Sequence, residues 1–423
     1  MGRGGDLIPR GSRAGESARA RSYDPAQMRI ALVHMRHGPV GGTERILDEL
    51  SRHLAARGNH VTIVCRSHGE PSHPALRFAV LRRAVPGSAW RMWAFAQDVE
   101  RHVRRESYEL VFALGKTWTH DVIRTSGGSH ATYVERLRAA GGGGWRDWRV
   151  LRAPKDRLAL EIERRAYAPH AYRLVVANSR LVRDDMRQRY TIPDARLEVV
   201  HNGVDVARFR PRAADEVAAW RRALGLAPQD FVYLFLGKGF VRKGLGRTLA
   251  AFAEVARARA EARLLVVGRD SAAARFEREA EALGLRGRVR FLGERRDPEL
   301  CLAACDVHVL PTWYDSFAFT VLEALACGKP VITTDGAGAA ELVEPDVQGS
   351  VLPSACDAAE LARAMLAWSQ PERARAASAS ARARAEEHAF ERTIARLAEL
   401  LERVAAEKHA PQPVRSAQGM AST

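Results

Sequence analysis

No apolar run in this 423-residue chain approaches the ~20 residues that a helix needs to cross a bilayer, so no spanning helix is expected. The first residues also lack the apolar core of a secretory signal. Cysteine is scarce: five residues, an odd count, none spaced as metal ligands. That argues against a disulfide framework and suits a reducing, cytoplasmic setting. Cys301 and Cys305 stand one helical turn apart in an Ala-rich stretch, where small apolar packing is the expected role. No Asp-x-Asp falls at the end of an expected strand, so no metal ligands are assigned. Acidic residues are in deficit, 50 against 66 Lys and Arg, which leaves a formal net charge of +16. Such an excess favours acidic partners: phosphorylated substrates, anionic membrane surfaces or nucleic acid.

What is present reads as globular. Hydrophobic residues make up 46% and charged residues 27%, and the length suits two domains, each burying its own core. Residues 1–27 hold few apolar side chains and are expected to be a disordered leader. A Val- and Ile-bearing strand at 28–35 follows. Then comes a Gly-rich turn with Gly38, Gly41 and Gly42, and a helix with Thr43 as its cap and Ile46, Leu47, Leu50 and Leu54 on one face. With the strand at 60–65 this makes a βαβ unit. The alternation continues through strands at 77–81, 110–114, 122–125, 173–177 and 197–201, and again through 231–236, 263–267, 289–292, 306–310 and 331–334. The fold class is α/β.

The stretch 306–344 is the centre of the chain. A buried strand runs into a loop at Pro311, a helix repeats Phe319, Leu322 and Ala326, and a second strand leads to a Gly-rich turn. These loops lie at the carboxyl ends of strands, where open parallel sheets bind ligands. Asp315 and Glu323 are eight positions apart. On one helix they would lie within roughly 80° of each other and ~12 Å apart along the axis, suited to two ends of an extended ligand. A carboxylate accepts two hydroxyls well, as a sugar or ribose diol offers them. Earlier, Gly237, Lys238, Gly239, Arg242, Lys243 and Gly244 follow a buried strand and open a helix, which is a ready diphosphate site.

Pro311, Thr312, Asp315, Ser316, Phe317, Ala318, Leu322, Glu323, Ala324, Leu325, Ala326, Gly328, Pro330 and Val331 together resemble the donor-site motif of the retaining GT-B glycosyltransferases of family 4. Asp315 stands where the family has its first Glu, and Ser316 and Ala318 replace two Gly. Gly237, Lys238, Lys243 and Gly244 match the family's Gly-Arg, four residues, Lys-Gly, with Lys in place of Arg. Gly41, Gly42 and Glu44 match its Gly-Gly-x-Glu, which faces the donor phosphate and the acceptor. His201-Asn202-Gly203-Val204-Asp205 is similar to its inter-domain linker. The run from Gly127 to Tyr133, and Glu163 to Tyr167, resemble the enzymes that glucosylate the inner-core heptose of lipopolysaccharide.

The resemblance implies two Rossmann-like domains facing a central cleft. Residues 28–204 would be the acceptor-side domain and 205–385 the nucleotide-sugar domain. A crossover helix at 386–408 would pack back on the first domain, followed by a tail at 409–423. It implies retaining transfer of a hexose from a nucleotide diphosphate sugar, UDP-glucose favoured, to a glycolipid or saccharide, with no metal and no further cofactor. Lys238 and Lys243 would neutralise the leaving diphosphate, helped by Arg242, and Glu323 would hold the ribose. Asp315 and the backbone of Ser316, Phe317 and Ala318 would lie by the transferred sugar. Acceptor-side chemistry is expected between residues 115 and 133, which hold His120, Asp121, Ser129 and His130; Asp121 and His130 are the candidates there. Trp145 and Trp148, flanked by Arg136, Arg138, Arg146, Arg149 and Arg152, would rest peripherally on the inner, anionic face of a membrane. Two other classes compete. A nucleotide-sugar epimerase shares the fold but needs a set of cleft carboxylates and His that this chain does not place. A basic nucleic-acid-binding protein needs aromatics clustered on a basic face, whereas the basic residues here are spread along helices, so no nucleic acid is expected.

Overall fold

The computed structural model describes Asp24 and residues 27–38, 41–141 and 154–410. Nearly all of the proposed leader, the Trp145/Trp148 segment and nearly all of the tail lie outside the described residues. The first sheet has seven strands, β1 (Arg29–Val33), β2 (His60–Cys65), β3 (Arg77–Val80), β4 (Leu110–Ala113), β5 (Val122–Thr125), β6 (Leu174–Ala177) and β7 (Leu197–Val199), in the order β3-β2-β1-β4-β5-β6-β7. The second has six, β8 (Phe231–Leu236), β9 (Ala262–Val267), β10 (Val289–Gly293), β11 (Val307–Leu310), β12 (Val331–Thr334) and β13 (Gly349–Leu352), in the order β10-β9-β8-β11-β12-β13. Every pairing is parallel. Helices cover both faces, so the strands are near-continuous apolar runs such as Phe231–Leu236, buried throughout. Both orders reverse between the first and fourth strands, and a ligand crevice opens past the carboxyl ends there.

Helix α1 (Gly42–Ala56) buries Ile46, Leu47, Leu50 and Leu54 as expected, but Thr43 does not cap it. The helix starts two residues earlier, with Gly41 as its N-cap, φ 119° and no side-chain cap. A φ of 119° lies in the region that L side chains rarely adopt, so glycine is what fits the turn. The other helices of the first domain are α2 (Ser88–Arg105), α3 (His130–Gly141), α4 (Pro154–Ala166) and α5 (Arg180–Tyr190). The second domain adds α6 (Ala214–Ala223), α7 (Leu245–Ala258), α8 (Ala273–Ala282), α9 (Pro298–Ala304), α10 (Phe319–Ala326), α11 (Ala358–Ala367) and α12 (Pro371–Glu387). The stretch after β12 that carries Glu341 is a short 3-10 turn, Gly338–Leu342.

The chain crosses between domains twice, and the crossings touch. Val204 N–H donates to His388 O (3.0 Å), and Phe390 N–H donates to Val204 O (2.9 Å). A Cβ on Gly203 would fall 2.5 Å from the Phe390 Cα, so glycine lets the two backbones meet. Beyond this point α13 (Phe390–His409) packs Phe390, Ile394, Leu397, Leu401 and Val404 into the first domain's core beside Leu47 and Leu50. At ~1.5–3 kcal/mol per fully buried large apolar side chain, these five contribute on the order of 10 kcal/mol to docking the helix. Arg124 of β5 is buried under the first crossing and donates to Val200 O (3.0 Å) and Asn202 Oδ1 (2.8 Å).

Asp121 requires a correction. It precedes β5 and so sits at the amino end of the sheet, away from the crevice. Its Oδ2 accepts from Val111 N–H (2.9 Å) and from Lys408 Nζ near the end of α13 (2.8 Å). His120 beside it is buried, with Nε2 against Ala166 O (3.2 Å), and burial pushes its pKa down to about 4. Both residues tie helices to the sheet. Asp121→Ala is therefore expected to destabilise the fold by about 1–3 kcal/mol, through an unpaired amide and ammonium, in urea unfolding. Per folded molecule, transfer should be unchanged; a specific loss of turnover at full stability would return Asp121 to the chemistry.

Candidate active site

The donor loop leaves β11 at Pro311 and reaches α10 at Phe319. Asp315 and Glu323 do not share a helix, because Ala318 (φ 66°) turns the chain into the left-handed region just before α10 begins. Asp315 instead closes the loop. Its Oδ1 accepts from the N–H groups of Ala318 (2.9 Å) and Phe317 (3.3 Å). Its Oδ2 accepts from Lys243 Nζ and from an Arg242 Nη, both at 3.0 Å. Burial alone would raise the Asp315 pKa, but Lys243 and Arg242 overcome it and hold the carboxyl well below the usual range.

The cations are set by the turn after β8. Gly244 (φ 81°) precedes α7, and a Cβ there would lie 2.1 Å from Pro311 O. Glycine thus lets the start of α7 press against the donor loop. Lys243 is only 7% exposed, and its stem runs past Gly237, where a Cβ would stand 2.7 Å from Cδ. Arg242 also donates to Tyr314 O (2.6 Å). Lys238 behaves differently: it is solvent-exposed and paired with Glu294 at 2.6 Å. The second cation beside Asp315 is Arg242, not Lys238.

Glu323, on α10, is the unmatched group. Its carboxylate has no hydrogen-bond partner among the described residues. Burial raises its pKa to about 7, against the pull of Arg45, Arg208 and Lys243. Arg45 and Arg208 are already engaged, with Asp205 and Glu299, each at 2.8 Å. Beneath the first turn of α10, His308 is fully buried between Leu234 O (3.0 Å) and Thr320 Oγ1 (3.2 Å), and burial lowers its pKa to about 3. It is a neutral strut inside a strand, which nothing in the sequence distinguishes from its apolar neighbours.

The first domain meets this loop directly. A Cβ on Gly42 would fall 2.6 Å from the Phe319 ring, and one on Gly128 would fall 2.1 Å from the Tyr314 hydroxyl. Ser316 Oγ donates to Ser126 O (3.0 Å), and Ser179 Oγ donates to Ser316 O (2.8 Å). Glu341 accepts from Arg180 N–H with both oxygens, at 3.0 and 2.9 Å, and contacts His201. Gly41, Gly42, Gly237, Lys243, Arg242, Asp315, Ser316, Phe317, Ala318 and Glu323 are thus gathered around one inter-domain crevice, with Lys238 at its exposed side. His130 is on the same side of its sheet as the crevice, but its Nε2 is bound to Asp156 (2.8 Å) and its N–H to Glu163 (2.9 Å). Burial, with Lys116 nearby, lowers its pKa. Among the described residues no group of three or more His, Cys, Asp or Glu side chains could hold a metal ion.

Two family models cover nearly all of this architecture. The model described as Glycosyltransferase Family 4 matches residues 40–208, and that described as Glycosyl transferases group 1 matches residues 216–386. The chain belongs to the GT-B glycosyltransferases of family 4. Among curated relatives, the glycosyltransferase is 34% identical over 208 residues to the D-inositol 3-phosphate glycosyltransferase of Segniliparus rotundus, a match spanning 48% of this chain and 46% of that protein. It is 24% identical over 328 residues to the lipopolysaccharide glucosyltransferase WaaG of Escherichia coli K12, spanning 77% of this chain and 85% of the relative. Among solved structures, WaaG superposes with a TM-score of 0.74 at 23% identity, covering 88% of this chain and 99% of WaaG. Anabaena Alr3699/HepE, solved with UDP and glucose, gives 0.66 at 21% identity, covering 89% and 100%. At such identities the superpositions speak for the fold.

The raised Glu323 pKa gives a test with a definite sign. Only the carboxylate accepts two hydroxyls, so a nucleotide held there should bind more tightly as pH rises from 6 to 8, and binding should release a proton. Glu323→Gln should lower affinity for the free nucleoside diphosphate by about 1–3 kcal/mol and flatten the part of the pH dependence that Glu323 supplies. Calorimetry of wild type and variant across that range decides it; identical affinities and slopes would make Glu323 a structural acid.

Proposed function

We propose that this glycosyltransferase moves a hexose from a nucleotide diphosphate sugar, UDP-glucose favoured, to a saccharide on a glycolipid, with retention at the anomeric carbon. The observation that carries the reading is the half-buried Glu323 carboxylate, without a hydrogen-bond partner among the described residues, in the same crevice as the Lys243–Arg242 pair. One end suits a diol and the other a diphosphate, which are the two polar parts of a nucleotide diphosphate.

In this reading Glu323 accepts the ribose hydroxyls, and Lys243 and Arg242 face the diphosphate at the start of α7. As the bond from the anomeric carbon to the diphosphate oxygen breaks, negative charge grows on that oxygen. Lys243 has one N–H committed to Asp315 and two left for the diphosphate; these neutralise the charge in place of a metal ion. Lys238 sits on a flexible four-carbon stem at the rim and joins once a donor displaces Glu294. Asp315 orients both cations and, through the N–H groups of Phe317 and Ala318, shapes the loop beside the transferred sugar. The acceptor hydroxyl approaches on the face that the diphosphate leaves. The departing phosphate oxygen takes its proton, so no second carboxylate nucleophile is required. His130, already bound to Asp156, helps to shape the acceptor side.

Location follows from charge. The formal net charge is +16, and no helix among the described residues is long and apolar enough to cross a membrane. The reading puts the enzyme at the inner face of a membrane, held by Arg, Lys and interfacial Trp, with a lipopolysaccharide core as the acceptor. Each basic residue near an anionic surface contributes roughly 1 kcal/mol, screened by salt.

Two outcomes are expected. Lys243→Ala should reduce transfer by about 2–4 kcal/mol in the transition state, on the order of 30- to 1,000-fold in kcat, with the protein still folded. Near-normal turnover would end the clamp assignment. The protein should also sediment with anionic vesicles at low salt and be released at high salt. Equal, negligible sedimentation under all conditions would remove the membrane and shift the acceptor to a soluble saccharide.

A further inference from the structure

A second pocket opens at the carboxyl ends of β4 and β5, beneath α4, with a volume of about 90 Å³. That is several times the ~10–15 Å³ needed for one water. Lys116, Ser126, Gly127, Gly128 and Glu163 line it. The Lys116 ammonium is half-buried and has no hydrogen-bond or ion-pair partner among the described residues. Ser126 Oγ is a buried hydroxyl without a partner. A Cβ on Gly127 would meet nothing within 4 Å, so the turn leaves open space. Across Gly128 stands the Tyr314 hydroxyl, 3% exposed as a residue and also unpartnered. Tyr314 belongs to the donor loop, next to Asp315. The pocket therefore adjoins the place where the transferred sugar is expected.

The two acids nearby do not neutralise Lys116 by contact. Glu163 spends both oxygens on His130 N–H, at 2.9 and 3.0 Å, and burial raises its pKa. Asp156 is bound to His130 Nε2. Lys155 adds a second positive charge within electrostatic reach, and burial, the leading effect, lowers the Lys116 pKa. A half-buried ammonium beside orphaned hydroxyl donors is incomplete without an anion, since such a charge is costly in a site of low dielectric.

We infer that Lys116, with Ser126 Oγ and the Gly127–Gly128 turn, binds a phosphate group carried by the acceptor saccharide, close to the hydroxyl that receives the hexose. This rests on the glycosyl-transfer reading for its context. It adds that the acceptor is a sugar phosphate and that Lys116 selects for it. A strongly hydrated point charge such as Lys suits a phosphate approached from one side.

The test uses the whole protein saturated with UDP, so that the diphosphate clamp is filled. Inorganic phosphate and mannose 6-phosphate are titrated by calorimetry against wild type, Lys116→Met and Lys116→Arg. Both ligands should bind wild type at least ten-fold more tightly than Lys116→Met, mannose should not bind, and Lys116→Arg should recover most of the affinity. UDP affinity should be the same in all three proteins, which also shows that the variants are folded. Equal phosphate affinity in wild type and Lys116→Met, or none in wild type, overturns the inference. Phosphatidic acid vesicles that compete while mannose 6-phosphate does not would overturn the saccharide source in favour of a lipid headgroup. If wild type failed to bind UDP, the nucleotide-sugar reading would fall; the phosphate arm without UDP still compares wild type with Lys116→Met.

Discussion

A carboxylate removed from water must be matched, and the crevice is arranged around meeting that demand at Asp315. Two cations and two backbone amides converge on its oxygens. Take Asp315 away and Lys243 becomes a buried ammonium with nothing to face, a loss of several kcal/mol in such a setting. Take the cations away and the loop between β11 and α10 loses what folds it back. The pair is thus structural before any donor arrives, and the start of α7 is bound to the donor loop by charge as well as by Gly244. In the proposed reading a diphosphate would enter as a further anion for cations already oriented, leaving little reorganisation for the moment of bond breaking.

The second constraint is mechanical. Two chain crossings, hydrogen-bonded at Val204 and flanked by Gly203, make a narrow neck. Around the crevice the domains also touch through loops and helix starts: Gly42 on Phe319, Gly128 on Tyr314, Ser126 and Ser179 on Ser316, Glu341 on Arg180 and His201, and Arg45 on Asp205. These are a few hydrogen bonds, part-exposed ion pairs and small apolar contacts, each worth about 1 kcal/mol. The neck, with α13 anchored in the first domain, is far stronger than any of them. The geometry suits opening about the neck while the loop contacts exchange for ligand contacts.

Much of the fold could be read from the chain because buried parallel strands are short apolar runs and their helices carry apolar faces. The turn after β8 that carries Lys243 was legible for a related reason: Gly237, Lys243 and Gly244 follow such a run in register. The direction of individual side chains was not. Whether Lys238 or Arg242 joins Lys243 depends on Glu294, distant in sequence, which draws Lys238 outward. Asp121 was misread although a signal existed, since it precedes its strand and ligands gather past the other end. The helical spacing of Asp315 and Glu323 failed because Ala318 takes a left-handed conformation where the family motif has glycine. That conformation costs a non-glycine residue roughly 1–2 kcal/mol, and the Asp315 bond to its N–H is one interaction that offsets it. Lys116 went unnoticed because a lone Lys in a loop carries no pattern.

Charge counting around the donor loop explains why Glu323 is the free group. Four cations, Arg45, Arg208, Arg242 and Lys243, face four acids, Asp205, Glu299, Asp315 and Glu323. Arg45 takes Asp205, Arg208 takes Glu299, and Asp315 takes the remaining two. Glu323 is left without a contact, so burial raises its pKa with only the more distant pull of Arg45, Arg208 and Lys243 against it. The arrangement costs stability in the empty enzyme: a carboxyl whose folded pKa is raised weakens the fold as pH climbs from its unfolded value towards 7. A ligand that brings hydroxyls to Glu323 removes that penalty, and a ligand that brings only phosphate does not. In the proposed reading the crevice would favour a molecule carrying both groups over inorganic phosphate or a plain sugar, through an imbalance already present in the protein's own charges.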